Sequence, residues 1–297
     1  MTTNAELEAL AKALEDSGLY RVLRKIEPRR AAVAPDGFVV RRGLFVDVET
    51  TGLDPSKDEI IEIAMVPFSY TLEGLVLDVG EPFQSLRQPS VPIPAEITRM
   101  TGIDDAMVAG HSVDPAAVAS FASSAALVVA HNASFDRRFL ERLCDTFTIK
   151  PWACSLSQVD WAAEGFEGSK LTYLAAGLGL FYDRHRALGD CHAGIEVLAR
   201  PLPISGGTAL AQLLTNARKP MRRIWAENSP FELKDSLKAR GYRWNPDGNG
   251  SPKGWYVDVV QDDLDAELGF LQTEIYQCEI DLLTKEITAF DRFSDRA

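Results

Sequence analysis

The chain has 297 residues, 46% of them hydrophobic and 25% charged, with a formal net charge of -12. That length suffices for one large domain with a smaller one, or for two of medium size, each with its own core. No apolar run approaches the roughly 18 residues of a membrane span, and the overall acidity argues against a general nucleic-acid binder.

The charge is unevenly spread. Residues 1–206 hold 19 Lys+Arg against 28 Asp+Glu, and residues 261–297 hold 3 against 10. Between them, residues 207–260 hold 9 against 5, so one basic segment sits inside an acidic chain. The opening MTTNAELEAL lacks the basic and apolar regions of a signal peptide. Cys144, Cys154, Cys191 and Cys278 show no CxxC spacing. A cytoplasmic protein with reduced thiols and no membrane association is expected.

In chain order, residues 4–17 have Leu7, Leu10, Ala11 and Leu14 at helical spacing with Gly18 as a stop. This predicts a helical extension, residues 1–39, packed on the main domain, with the turn APDG near its end. GLFVDVET predicts a buried strand, and EIIEIAMVPFSY and LEGLVLDVG two more, joined at Glu73-Gly74. After a Pro-rich linker come a short helix ending near Gly102, a helix over 115–123, the strand ALVVA and the helix SFDRRFLERLC. Two further helices follow over 170–178 and 189–200. The pattern is that of an α/β domain over 40–203 with a mixed sheet. PLPISGG reads as a linker to a module over 207–297.

Three segments carry acids in positions that suggest chemistry. In GLFVDVET, Asp47 and Glu49 lie two residues apart, so their side chains share one face of a strand. Two like charges in an apolar strand are costly unless a cation lies between them, and a hard divalent cation suits carboxylate oxygen. Asp136 falls in the first turn of the helix after ALVVA, where an acid alone complements the helix dipole. Asp190 opens the helix of HRALGDCHAGIEVL, with His185 on the turn before it. His192 lies on another face of that helix.

DVETTG, HNASFD and HRALGD, in that order, resemble the three motifs of the DnaQ-like 3′–5′ exonucleases. These form the DEDDh branch of the DEDD superfamily, which includes the proofreading epsilon subunit of bacterial DNA polymerase III. The resemblance covers about residues 40–200 and implies a ribonuclease H-like mixed sheet flanked by helices. It maps Asp47 and Glu49 to the first motif's acids, Asp136 to the second's and Asp190 to the third's, and His185 to the histidine that names the branch. It implies two Mg²⁺ or Mn²⁺ ions held by these four carboxylates, with His185 taking the proton of the attacking water. IPAEITRMTGID resembles the family's segment beside the terminal nucleotide, which adds Glu96, Met100 and Thr101. Thr101 stands where the epsilon pattern has a histidine. Thr50, Thr51, Asn132 and Phe135 fall at further nucleotide contacts. Leu53, Met100 and Phe135 are expected to wedge and stack the last base.

The implied substrate is the 3′ end of single-stranded nucleic acid, with DNA favoured over RNA, in a polymerase or repair complex. Exoribonuclease action and a catalytically idle adaptor are the alternatives, the latter opposed by the intact set of five residues. The tail predicts a helix FELKDSLKARG stopped by Gly241, a strand YRW, a turn through NPDGNG and a strand GWYVDV. It resembles small modules with the pattern K-D-x-L-K-x-x-G-x-x-W…K-x-W found beside nucleic-acid enzymes. Trp225, Trp244 and Trp255 form a mini-core in the plainer reading, and the surrounding Lys and Arg can still offer a phosphate-binding face. The acidic stretch after Gln261 is expected as a helix with a solvated face, packed on the module.

Overall fold

The computed structural model describes residues 3–27, 29, 31–246 and 252–296. Its chain divides into two compact units, Met1–Ala217 with Phe293–Asp295, and Arg218–Arg292 with Arg296–Ala297. The first carries α1 (Asn4–Asp16), β1 (Arg24–Lys25), β2 (Val40–Thr50), β3 (Ile60–Thr71), β4 (Val76–Val79) and β5 (Phe83–Leu86). There follow α2 (Ala95–Thr101), α3 (Asp105–Val108), α4 (Pro115–Ala122), β6 (Leu127–Ala130), α5 (Ala133–Leu143) and β7 (Trp152–Cys154). Then come α6 (Leu171–Gly177), β8 (Leu180–Phe181), α7 (Ala187–Ala199) and α8 (Ala209–Arg218). No helix among the described residues is long and apolar enough to cross a membrane.

The main sheet runs β4-β3-β2-β6-β7, with β5 also paired to β3. β2 pairs antiparallel with β3 and parallel with β6, so the sheet is mixed, as expected. Alternation along β2 separates two cores. Leu44, Val46 and Val48 face a cluster with Val118, Phe139, Leu140 and Trp152. Phe45 faces the opposite cluster, with Cys191, Ile195 and Leu198 of α7 and Leu210, Leu213 and Leu214 of α8. Helix α8, placed with the tail in the sequence-based division, thus buries its apolar face in the first unit. Gly194 lets α7 lie close to the sheet: a Cβ there would stand 2.1 Å from the Phe45 ring.

The N-terminal extension departs from expectation. Helix α1 forms, with a capping box between Thr3 and Glu6, yet none of its residues is buried. Leu7, Leu10 and Leu14 remain exposed. The extension attaches through the residues after the helix instead. β1 pairs with β8, Ile26 packs on the α7-side core, and Arg21 donates to the carbonyls of Ala176 and Gly177. Arg24 pairs with Glu8 and Glu15, so it ties the helix to its own following segment.

The second unit holds β9 (Met221–Ala226), α9 (Lys234–Ala239), β10 (Arg243–Asn245), β11 (Gly254–Val260), α10 (Leu264–Phe270) and β12 (Thr284–Ile287). Its antiparallel sheet runs β10-β11-β9-β12. The expected helix forms only over Lys234–Ala239, preceded by a 3-10 turn at Phe231–Leu233, and both expected strands form, while residues 247–251 of the expected turn lie outside the described residues. The core is Ile224, Ala226, Leu237, Tyr242, Val257, Leu271 and Ile275. A core built on all three tryptophans is not found. Trp225 is buried, Trp255 half-buried and Trp244 exposed. The acidic stretch is only partly solvated: Glu267 is buried and accepts from Arg240 at 2.8 and 2.9 Å and from the Tyr242 hydroxyl at 2.9 Å.

Candidate active site

The end of β2 delivers two carboxylates to the α7 side of the sheet. Asp47 and Glu49 share the parity of Phe45, and on β3 the neighbour of Asp47 is the small Ala64. Directly after Glu49 the β2–β3 register slips by a bulge, a device that bends a strand and ends regular pairing beside a site. Asp190, in the first turn of α7, meets them from the facing helix. One carboxylate oxygen from each of Asp47, Glu49 and Asp190 lies within 4.8 Å of the others.

Asp190 is held on both oxygens. Oδ1 accepts from the Tyr182 hydroxyl at 2.8 Å and Oδ2 from the backbone N–H of His185 at 2.9 Å. The latter closes a tight turn in which His185 takes a left-handed φ of 61°. Asp136 reaches the strand end from α5, on the other face. It is buried, and its Oδ1 accepts from the N–H of Val48 at 3.1 Å. It lies outside the close group of three, but its charge acts on Asp47.

Crowding and burial leave all four acids hard to ionise without a cation. Burial raises the Asp47 pKa well above the carboxylate range, reinforced by Asp136, Asp190 and Glu49. Burial, followed by the charges of Asp190 and Glu62, pushes Glu49 up to about 8, against the pull of Arg186. Asp136 and Asp190 are raised chiefly by burial. Three hard oxygen donors so placed fit a divalent cation.

The remaining sequence-derived residues are more dispersed in character. Thr50 and Thr51 are buried, and their hydroxyls are engaged locally: Thr50 donates to the Gly52 carbonyl at 2.6 Å, and Thr51 accepts from the Glu59 N–H at 3.0 Å. Thr101 donates to the Ile97 carbonyl and accepts from the Ile103 N–H, which occupies it within the end of α2. Glu96 and Asn132 are exposed. Asn132 adopts φ 88° before α5 and accepts from the Ser134 hydroxyl. Leu53 and Met100 are exposed apolar side chains, and Phe135 is half-buried with its ring 5.0 Å from Phe139.

Sequence reasoning missed three residues. Glu62 lies opposite Glu49 on β3, is fully buried, and is gripped by Arg186. Tyr182 supplies the hydroxyl to Asp190. A single acid inside the apolar run IIEIAMV was a readable signal for Glu62. Nothing local marked Tyr182 or Arg186.

A family model described as exonuclease, the RNase T family, matches residues 44–198. The chain belongs to this exonuclease family. The resemblance to DnaQ-like enzymes read from the three motifs is borne out. A DNA polymerase III subunit epsilon-like protein of Rhodobacter capsulatus is 37% identical over 194 residues, covering 58% of this chain and 26% of that one. The DNA polymerase III subunit epsilon of Aquifex aeolicus is 28% identical over 166 residues, covering 54% and 79%. The solved zinc-bound complex of E. coli ExoI with single-stranded DNA shares the fold, at TM-score 0.50 and 16% identity, over 74% of this chain and 63% of that one. The chain spans about a quarter or less of the length of several curated relatives that it matches. An exonuclease family match together with this acidic triad fits the use of a divalent metal.

Proposed function

We propose that the whole protein is a 3′–5′ exonuclease that hydrolyses phosphodiester bonds at the 3′ ends of single-stranded DNA, releasing nucleoside 5′-monophosphates in repair or proofreading. The observation that carries this is the convergence of Asp47, Glu49 and Asp190 within 4.8 Å beside the turn that bears His185. Asp47, Glu49 and Asp190 would hold one Mg²⁺ or Mn²⁺, and Asp136 with Asp47 a second. When bound, such a pair supplies an activated water and offsets charge on the leaving oxygen.

The chain's own residues do the rest. The Tyr182 hydroxyl and the His185 N–H orient Asp190 and satisfy lone pairs that the cation does not use. The imidazole of His185, carried on a turn pinned to Asp190, removes the proton of the attacking water. Leu53, Met100 and Phe135 present apolar surface to the terminal base. Glu96, Asn132, Thr50, Thr51 and Thr101 frame it, the threonines through backbone they hold in place. The epsilon-like names of the relatives support DNA and a polymerase or repair setting.

A time course with matched 3′-labelled DNA and RNA oligomers, in EDTA and then in Mg²⁺ or Mn²⁺, tests the reading. Stepwise shortening of DNA from the labelled end, only with metal, is expected. Preferential shortening of RNA would move the substrate to RNA. Binding without hydrolysis of either would identify an idle adaptor.

A further inference from the structure

The second unit carries a strip of alternating rings and lysines in which Trp255 packs on the unit's core while Phe231 and Trp244 are exposed. Lys234 Nζ lies 3.8 Å from the centroid of the Phe231 ring. Lys238 is four residues on, so it shares that face of α9, and its Nζ lies 5.8 Å from the Trp255 ring. Trp255 is paired across the hairpin with Trp244, their centroids 5.4 Å apart at 63°. Phe231 is 73% exposed and Trp244 48% exposed. The aliphatic and tyrosine core described above closes beneath them. Asp235 reaches Lys238 only at 3.8 Å, with both side chains largely in water, so the pair holds little of that charge.

Large exposed rings on so small a unit are costly unless something covers them. The strip selects its occupant by two properties. It offers π faces beside cations, and it lies in the net-positive segment of a chain whose formal charge is -12. A single nucleic-acid strand has the matching pattern, with base faces to stack and phosphates to pair. A duplex hides its base faces within its own stack.

We propose that Phe231, Trp244 and Trp255, with Lys234 and Lys238, form a second binding site for single-stranded nucleic acid, distinct from the carboxylate site. This deepens the nuclease reading, on which it rests for the identity of the strand. A second site on one chain raises the local concentration of substrate at the first for any strand long enough to engage both.

The test uses the full chain in EDTA, where hydrolysis stops, and the anisotropy of a labelled 30-nucleotide oligothymidylate over a salt series. Trp244→Ala should weaken binding by about 5- to 150-fold, the range for losing one stacked base, and Trp244→Phe should keep most of the affinity. Lys234→Gln/Lys238→Gln should lower the slope of log affinity against log salt by about 1.4, or roughly 0.7 per phosphate on a single strand. Lys285→Gln, on β12, is the charge control and should change little. Unchanged affinity and slope in the Trp244→Ala and double-lysine proteins, with melting temperatures like wild type, would overturn the proposal and leave the strip to a protein partner. Should Trp244→Ala not fold, the double-lysine variant decides alone. The nuclease reading fails separately, by absence of metal-dependent hydrolysis in the unmodified protein.

Discussion

Arg186 and Glu62 form an ion pair that ties the start of α7 to the middle of the sheet. The guanidinium donates through Nε at 3.2 Å to both carboxylate oxygens and through Nη2 at 2.8 Å to Oε1. The same carboxylate accepts from the Ala187 N–H at 2.9 Å and from Gln84 at 2.8 Å. Arg186 follows His185, and Glu62 is the neighbour of Glu49, so the pair fixes third-motif backbone against first-motif strand.

Breaking the pair should therefore cost both stability and rate. Burial alone would raise the Glu62 pKa, but Arg186, Ala187 and Gln84 outweigh it and hold the group below its ordinary value. A depressed carboxylate contributes stability above its unfolded pKa and loses it as pH falls through the folded one. Arg186→Ala leaves the buried acid short of a charged partner, at about 2 kcal/mol. Urea unfolding should show a larger gap between wild type and Arg186→Ala at pH 7 than at pH 4, because without Arg186 burial favours proton uptake by Glu62 as pH falls. Equal gaps would mean that the pair is not a charge clamp.

The metal-free protein should show the opposite slope. Burial and neighbouring charge push Glu49 up to about 8, and Asp47, Asp136 and Asp190 are also raised. Between the ordinary carboxylate pKa and the raised one, the folded state binds more protons than the unfolded, so stability falls as pH rises. In EDTA the melting temperature should drop from pH 5 to pH 8, and Mg²⁺ or Mn²⁺ should restore it at pH 8. Asp47→Asn should flatten the drop and abolish hydrolysis. A metal-free melting temperature that climbs steadily over this range would refute the crowded-acid account.

Much of this was readable beforehand, for identifiable reasons. Strand alternation put Asp47 and Glu49 on one face, and the motif order located Asp136, Asp190 and His185. The short strands β5, β7, β9 and β12 escaped notice because three to six residues give too few alternations to stand out. Helix α1 shows the reverse fault. Its spacing is amphipathic, but pattern states only which side could be buried, and Leu7 and Leu10 find no cover. The Glu62–Arg186 clamp joins residues 124 apart in sequence, a relation that no local pattern encodes.

Gly194 offers a test of how far the site depends on helix–sheet spacing. Any Cβ there meets the Phe45 ring, which is fully buried in a close-packed core. Gly194→Ala should destabilise by about 1–3 kcal/mol through overpacking. Because α7 carries Asp190 one turn earlier, the shift should also separate Asp190 from Asp47 and Glu49. Metal affinity, followed by the rise in melting temperature with added Mn²⁺, should fall along with kcat. Lost stability with unchanged metal affinity would show that α7 can tilt without disturbing its first turn.

The two histidines near α7 separate proton transfer from packing. His185 sits on the turn, and its main chain is held by Asp190. His192, seven residues further on within α7, is half-buried, and burial keeps its imidazole below the ordinary pKa. If His185 is the general base, His185→Ala should lower kcat by roughly 10²–10⁴, with Mn²⁺ binding retained. The left-handed φ at this position raises a confounding effect, since alanine there is strained. His185→Gly removes the imidazole while suiting that backbone. Both variants should be equally slow if the ring is what matters, whereas recovery in glycine would assign the loss to the turn. His192→Ala should stay within a few-fold of wild type. A damaging His192→Ala beside a benign His185→Ala would reverse the assignment of the base.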